Sequence, residues 1–163
     1  YGFGGAIEWK GFDVSIFFQG TARVSLFEEG STIVPFSSGY KNNDGFLRGV
    51  MENRWTVDNP DPNARYPRTI RPSDALDNNN TKKSSFWVRN AAFLRLKNAE
   101  IGYTFPKRWM EKMAIQNLRL YVSGVNLLTW APDVHLFDPD LGSGDGRKYP
   151  PTRVFNVGLN INF

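Results

Sequence analysis

The sequence offers few side chains that could carry out catalysis. His135 is the only histidine among 163 residues and cysteine is absent. A histidine–cysteine zinc site is therefore excluded, and a Ser-His-Asp triad would depend on this one histidine. The run GSGDGRK at Gly142–Lys148 is rich in glycine, but it lacks the spacing of a phosphate-binding P-loop. We predict a protein that is not an enzyme and that needs no cofactor.

Three carboxylates lie close together in the stretch DPDLGSGD, at Asp138, Asp140 and Asp145. Oxygen ligands of this kind suit a hard cation such as Ca²⁺. The spacing of an EF-hand loop is missing, however, including its terminal Glu, and a turn built from Asp and Gly accounts for the same residues. We predict no metal site, and these three residues are the candidates if one exists.

Aromatic and arginine side chains share the central part of the chain, at Trp55, Arg65, Tyr66 and Trp87. Aromatic faces stack on sugar rings, and a guanidinium group can hydrogen-bond hydroxyls or carboxylates in a bidentate manner. These four residues are therefore candidates for substrate contact. The alternative is that they pack the loop itself or a partner protein.

Strict alternation of apolar and polar residues along the chain indicates the strands that must position these residues. The run RVFNVGLNINF at residues 153–163 places apolar side chains on one face of a strand and amide-rich ones on the other. Similar alternation predicts strands near residues 1–10, 12–20, 92–105, 117–129 and 152–163. A change of apolar phase after Leu96 predicts a β-bulge near Lys97–Asn98, since one extra residue restores a single apolar face.

Two long stretches, 21–91 and 131–151, lack this period and are rich in turn-forming residues. In antiparallel order they leave from one end of the sheet, and short turns lie at the other, which is typical of outer-membrane β-barrels with long extracellular loops. Eleven residues at about 3.3 Å, tilted by about 40°, rise roughly 28 Å, close to the apolar band of about 25 Å. We predict an all-β transmembrane fold in contact with membrane lipid.

The alternative to a barrel is a soluble β-sandwich, in which alternation also gives one buried and one solvated face. Such a protein would be a carbohydrate-binding module, secreted or displayed at the cell surface. Five strands would form a thin sandwich for this length, and we expect a 70-residue loop in it to lack a core of its own. The formal charge of +4 is dispersed along the chain, so we predict no nucleic-acid partner.

Four sequence features resemble one family. They are RLKN at Arg95–Asn98, GYTFP at Gly102–Pro106, SGVNLLTW at Ser123–Trp130 and the ending at Phe163. In this order they are similar to the C-terminal end of SusC/RagA-type TonB-dependent outer-membrane transporters of Bacteroidota. The similarity covers nearly all of residues 84–163.

The resemblance implies a barrel of about 22 strands with a plugged lumen, of which this chain would supply the last five strands. The chain begins at Tyr1 without an initiator Met, and we expect it to be the tail of a longer protein. The family imports oligosaccharides or peptides. A SusD-like lipoprotein assists it at the cell surface, and TonB energises it through regions upstream of this chain.

We make one further prediction for the final strand. Leu159, Ile161 and Phe163 lie on one face of it. A terminal Phe after alternating apolar residues resembles the signal that the barrel-assembly machinery reads on unfolded outer-membrane proteins. We predict that these three residues form this assembly signal.

Overall fold

Five long strands of the chain form one antiparallel sheet. The computed structural model describes residues 1–30, 32–34, 47–69, 79–110 and 114–163. Its strands are β1 (Gly2–Trp9), β2 (Phe12–Thr21), β3 (Ser25–Phe27), β4 (Val88–Asn90), β5 (Phe93–Thr104), β6 (Asn117–Trp130) and β7 (Val154–Asn162). The five-stranded sheet has the order β1-β2-β5-β6-β7, and every neighbouring pair in it is antiparallel. The predicted all-β fold with five antiparallel strands is confirmed.

Helical structure within the described ranges is limited to short pieces. Two helices are α1 (Arg48–Glu52) and α2 (Lys107–Met110), and 3₁₀ turns occur at Asn79–Thr81, Ser85–Trp87 and Pro139–Leu141. None of these described helices has the length and apolar character needed to cross a membrane.

One row of aliphatic side chains crosses the whole sheet. The pairing puts Ile7, Val14, Ile101, Val122 and Val157 side by side, and directly paired residues share a face of the sheet. Val157 keeps 75% of its surface exposed and Ile7 keeps 68%. A sandwich would cover such a row with its second sheet, whereas a barrel presents it to lipid. The row therefore favours the predicted lipid-facing surface.

The predicted β-bulge lies in β5 at Lys97. Phe17 of β2 pairs with Asn98, whereas Phe18 pairs with Leu96, so Lys97 has no partner in the ladder. Skipping one residue puts Leu96 on the same face as Phe18 and keeps the apolar side continuous. The bulge prediction is confirmed, and the register of β5 against β6 shifts at the same place.

Residues 24–91 and 133–150 together form a second compact unit. Its core consists of the buried side chains Ile33, Val34, Val50, Tyr66 and Trp87. Partly buried Leu136 and Phe137, from the second stretch, pack against this core. Our expectation that the long loop lacks a core of its own is wrong, because all five of these buried side chains belong to the loop. The exposed apolar face of the five-stranded sheet therefore remains the observation that speaks against a sandwich.

The two faces of β7 can be compared at neighbouring residues. Val157 belongs to the aliphatic row, and exposed Asn156 lies opposite Ser123 on the other face. In the intact barrel, we expect Val157→Arg to lower the free energy of unfolding by about 2–4 kcal/mol, because its guanidinium group would enter hydrocarbon. Asn156→Arg, at the same depth, should change it little. Denaturant unfolding in lipid vesicles measures both, and equal losses would contradict the face assignment.

Candidate functional site

Charged side chains on the polar face of the sheet meet at Arg119 of β6. Its Nε lies 3.0 Å from Oδ1 of Asp13 on β2, and its Nη2 contacts Oδ2 of the same carboxylate. Nη2 also lies 2.6 Å from Oε1 of Glu100 on β5. One guanidinium group thus joins three strands, with two carboxylates against a single positive charge. Bidentate pairs of this kind are directional and strong.

Two glycines make room for this network. A Cβ on Gly102 would lie 2.5 Å from Nη2 of Arg119 and 2.6 Å from Oδ1 of Asp13, so the guanidinium group occupies the space over the glycine. The ring of Tyr121 covers Gly158 in the same way, and the Arg119 guanidinium carbon lies 4.9 Å from the centre of that ring. The result is a polar, hydrogen-bonded surface, as expected for the inner face of a barrel.

Sequence reasoning did not single out Asp13, Glu100 or Arg119. Each lies at a polar position in the alternation of its own strand, and this position was the signal that the sequence offered. Asp13 and Arg119 are separated by 106 positions, however, and only the strand register brings them together. Alternation predicts the face on which a residue lies, but it does not predict which residue lies opposite.

The four predicted substrate-contact residues divide into two pairs in the second unit. Tyr66 and Trp87 are only 1% and 2% exposed and belong to its core. Trp55 and Arg65 are half-buried. Burial raises the pKa of the Tyr66 phenol above its usual value. Tyr66 and Trp87 thus pack the loop, which is the alternative that the sequence left open. Substrate contact stays a prediction for this set.

A buried carboxylate holds the second unit together. Glu28 is fully buried, with Nε of Arg89 at 2.9 Å from its Oε2 and Nη2 of Arg65 at 3.4 Å from its Oε1. Arg65 also donates to the Tyr66 hydroxyl at 3.3 Å and to the backbone carbonyl of Asp133 in the second stretch. Since a lone buried charge is costly, the carboxylate and its two guanidinium partners depend on one another.

The remaining candidates have structural partners. The Asp138 carboxylate accepts a hydrogen bond from the backbone N–H of Asp140 at 3.0 Å and caps a 3₁₀ turn. Asp145 pairs with Nε of Arg147 at 2.9 Å, and His135 is exposed. Across the described part of the chain, no three acidic or histidine side chains form a group that could hold a metal ion. The Asp- and Gly-rich stretch contains the 3₁₀ turn Pro139–Leu141, which Asp138 caps.

Glu28 and Glu29 offer a matched test of the buried ion pairs. Glu28→Gln should destabilise the second unit by about 3–5 kcal/mol, because two guanidinium groups would lose their buried counter-charge. Glu29→Gln should cost less than about 1 kcal/mol, since its pair with Lys83 is exposed. Hydrogen exchange of residues 84–91 in the full-length protein measures both changes. Similar protection in the two variants would show that the buried pairs contribute little.

The amino-acid sequence is similar to curated receptors over its whole length. It is 29% identical to TonB-dependent receptor P26 of Formosa agariphila over 177 residues, which span all of this chain and 17% of that protein. It is 30% identical to TonB-dependent receptor P3 of the same bacterium over 175 residues, 99% of this chain and 16% of that protein. The chain thus spans about a sixth of the length of these relatives. No protein-family model matches it.

The fold is similar to that of two solved structures of RagAB. The RagAB peptide importer in the open-open state superposes with a TM-score of 0.66 and 24% identity, over 99% of this chain and 17% of that one. The RagAB peptide transporter gives a TM-score of 0.67 and 23% identity over 96% of this chain and 16% of that one. Sequence similarity over the whole chain and the shared fold identify the chain as a segment of the β-barrel of a TonB-dependent receptor.

Proposed function

We propose that the protein carrying this segment imports a nutrient across the bacterial outer membrane, energised by TonB. The observation that carries the proposal is the two-faced sheet. Its exposed aliphatic row suits lipid, and its polar face suits a barrel interior. Sequence similarity to TonB-dependent receptors and the fold shared with the RagAB peptide importer support the same function.

The substrate class in this proposal is an oligosaccharide or a peptide, taken up together with a SusD-like lipoprotein at the cell surface. The RagAB structures are described as those of a peptide importer, which supports a peptide. The sequence resemblance to SusC-like transporters supports an oligosaccharide and the lipoprotein partner. The second unit has the hydrophobic core that a stable binding surface needs.

Loss of energy coupling tests this function in cells that carry the full-length receptor. Uptake of radiolabelled oligosaccharide and peptide pools should fall to background when the receptor gene or the tonB gene is deleted, because import needs energy from the inner membrane. Restoring the deleted gene should restore uptake. Uptake that depends on the receptor but is unchanged without TonB would contradict the proposal.

We also propose that Phe163 acts in assembly of the barrel. Phe163 is 80% exposed. Phe155 of β7 has the same parity as Phe163, is 69% exposed, and provides a matched control. Phe163→Ala should lower the amount of heat-modifiable, folded receptor in outer-membrane fractions, while leaving the denaturant midpoint of the inserted protein nearly unchanged. Phe155→Ala should have the smaller effect on abundance. Equal losses in the two variants would show that Phe163 is only a packing residue.

A further inference from the structure

An open cavity of about 360 Å³ lies at the surface of the second unit. The residues around it that carry the argument are Asn63, Arg65, Phe86, Val88, Arg89 and Asp133. All of them belong to the unit formed by residues 24–91 and 133–150. The volume is at the lower end of the range for small-molecule sites, which run from about 300 to 1,000 Å³.

The polar groups of the cavity include both donors and acceptors with unused capacity. Arg65 uses its Nε and Nη2 within the protein, and Nη1 makes no hydrogen bond to the described residues. Among the described residues, the Asp133 carboxylate accepts one hydrogen bond, at Oδ2, from the backbone N–H of Asn90 at 3.3 Å. The amide of Asn63 is exposed and can both donate and accept. A ligand with hydroxyl groups, which also donate and accept, matches this lining.

An aromatic ring supplies the apolar side of the cavity. Phe86 is 45% exposed and Val88 is 43% exposed. The Phe86 ring contacts the buried Trp87 edge to face, with centroids 5.0 Å apart and an interplanar angle of 87°. The Arg89 guanidinium carbon lies 5.6 Å from the centre of the Phe86 ring. The ring is thus fixed in place by two neighbours and still presents a surface that can stack on a ligand.

The charges at the cavity balance. Arg65 and Arg89 line the cavity and pair with Glu28, which is buried and does not line it. Asp133 adds a negative group at the cavity itself, so two positive groups meet two negative ones. An anionic ligand would need an excess of positive charge, which this arrangement does not provide. The apolar faces of a pyranose ring stack on aromatic side chains, and its edge carries hydroxyls. A neutral sugar therefore matches both the balanced charge and the mixed lining.

We propose that this cavity binds a neutral hexose unit of an oligosaccharide. The proposal rests on the proposed import function and specifies its substrate class. Phe86 stacks on the ring, Asn63 and Arg65 donate to hydroxyl oxygens, and Asp133 accepts from a hydroxyl. Arg89 and Glu28 hold this arrangement from within the unit, so their roles are structural.

Calorimetry on the full-length receptor in detergent tests the proposal with defined probes. The probes are α-gluco-, β-gluco-, β-manno- and β-galacto-hexaoses, with hexagalacturonate and a tryptic digest of casein for comparison. We expect at least one neutral hexaose to bind. Asn63→Ala should weaken that binding roughly three- to tenfold through a lost hydrogen bond, and Phe86→Ala roughly tenfold through lost stacking.

Two matched controls separate the cavity from general effects on the loops. Asn59→Ala removes an exposed amide, and Tyr149→Ala removes an aromatic ring that is 86% exposed. Neither residue lines the cavity, so affinity should stay within twofold of the unmodified receptor. Should Phe86→Ala disturb the fold, Asn63→Ala alone decides, because the Asn63 side chain is exposed.

Each remaining outcome would overturn the proposal. Binding of hexagalacturonate or casein peptides alone would contradict a neutral sugar, and so would a failure of all four hexaoses to bind. Equal weakening by Asn63→Ala and Asn59→Ala would place the sugar elsewhere. Uptake in tonB-deleted cells is measured separately. TonB-independent uptake would contradict the import function and leave the calorimetric result on the cavity unaffected.

Discussion

The sheet depends on complete backbone hydrogen bonding between its strands, which have lipid on one side and the barrel interior on the other. In hydrocarbon no water satisfies an unpaired N–H or C=O group, so each strand must bond to its neighbours along its membrane-spanning length. Side chains then alternate between lipid and interior, and a slip of one residue would exchange the two sets. The bulge at Lys97 absorbs one extra residue, and the apolar face continues from Ala99 to Leu96.

The second unit must bring together two stretches, residues 24–91 and 133–150, that are far apart in sequence. They share one core, and Arg65 links the buried Glu28 to the backbone of Asp133. A further link is the backbone N–H of Gly144, which donates to the carbonyl of Phe27 at 2.9 Å. The unit therefore combines apolar packing with a few buried polar contacts that fix which stretch lies beside which.

The sequence predicts the sheet well because alternation is a local property. The five strands of the sheet and the bulge follow from neighbouring residues alone. The meeting of Arg119 with Asp13 depends on register across three strands, and the burial of Tyr66 depends on a core built from two separate stretches. Neither has a local signal. Tyr66 and Trp87 illustrate this. An aromatic residue in a long loop can stack on a ligand or fill a core, and its type alone does not distinguish the two.

The run GYTFP shows how the two faces together restrict a short sequence. On the polar face, the Arg119 guanidinium group and the Asp13 carboxylate occupy the space that a side chain at Gly102 would fill. On the apolar face, Tyr103 lies 4.6 Å from the ring of Phe12 and 5.1 Å from that of Phe105, and these aromatic rings suit a membrane interface. Pro106 lacks an N–H and cannot continue the ladder, so the strand ends. Close approach at Gly102, aromatic rings suited to the membrane interface at Tyr103 and Phe105, and strand termination at Pro106 thus account for this motif position by position.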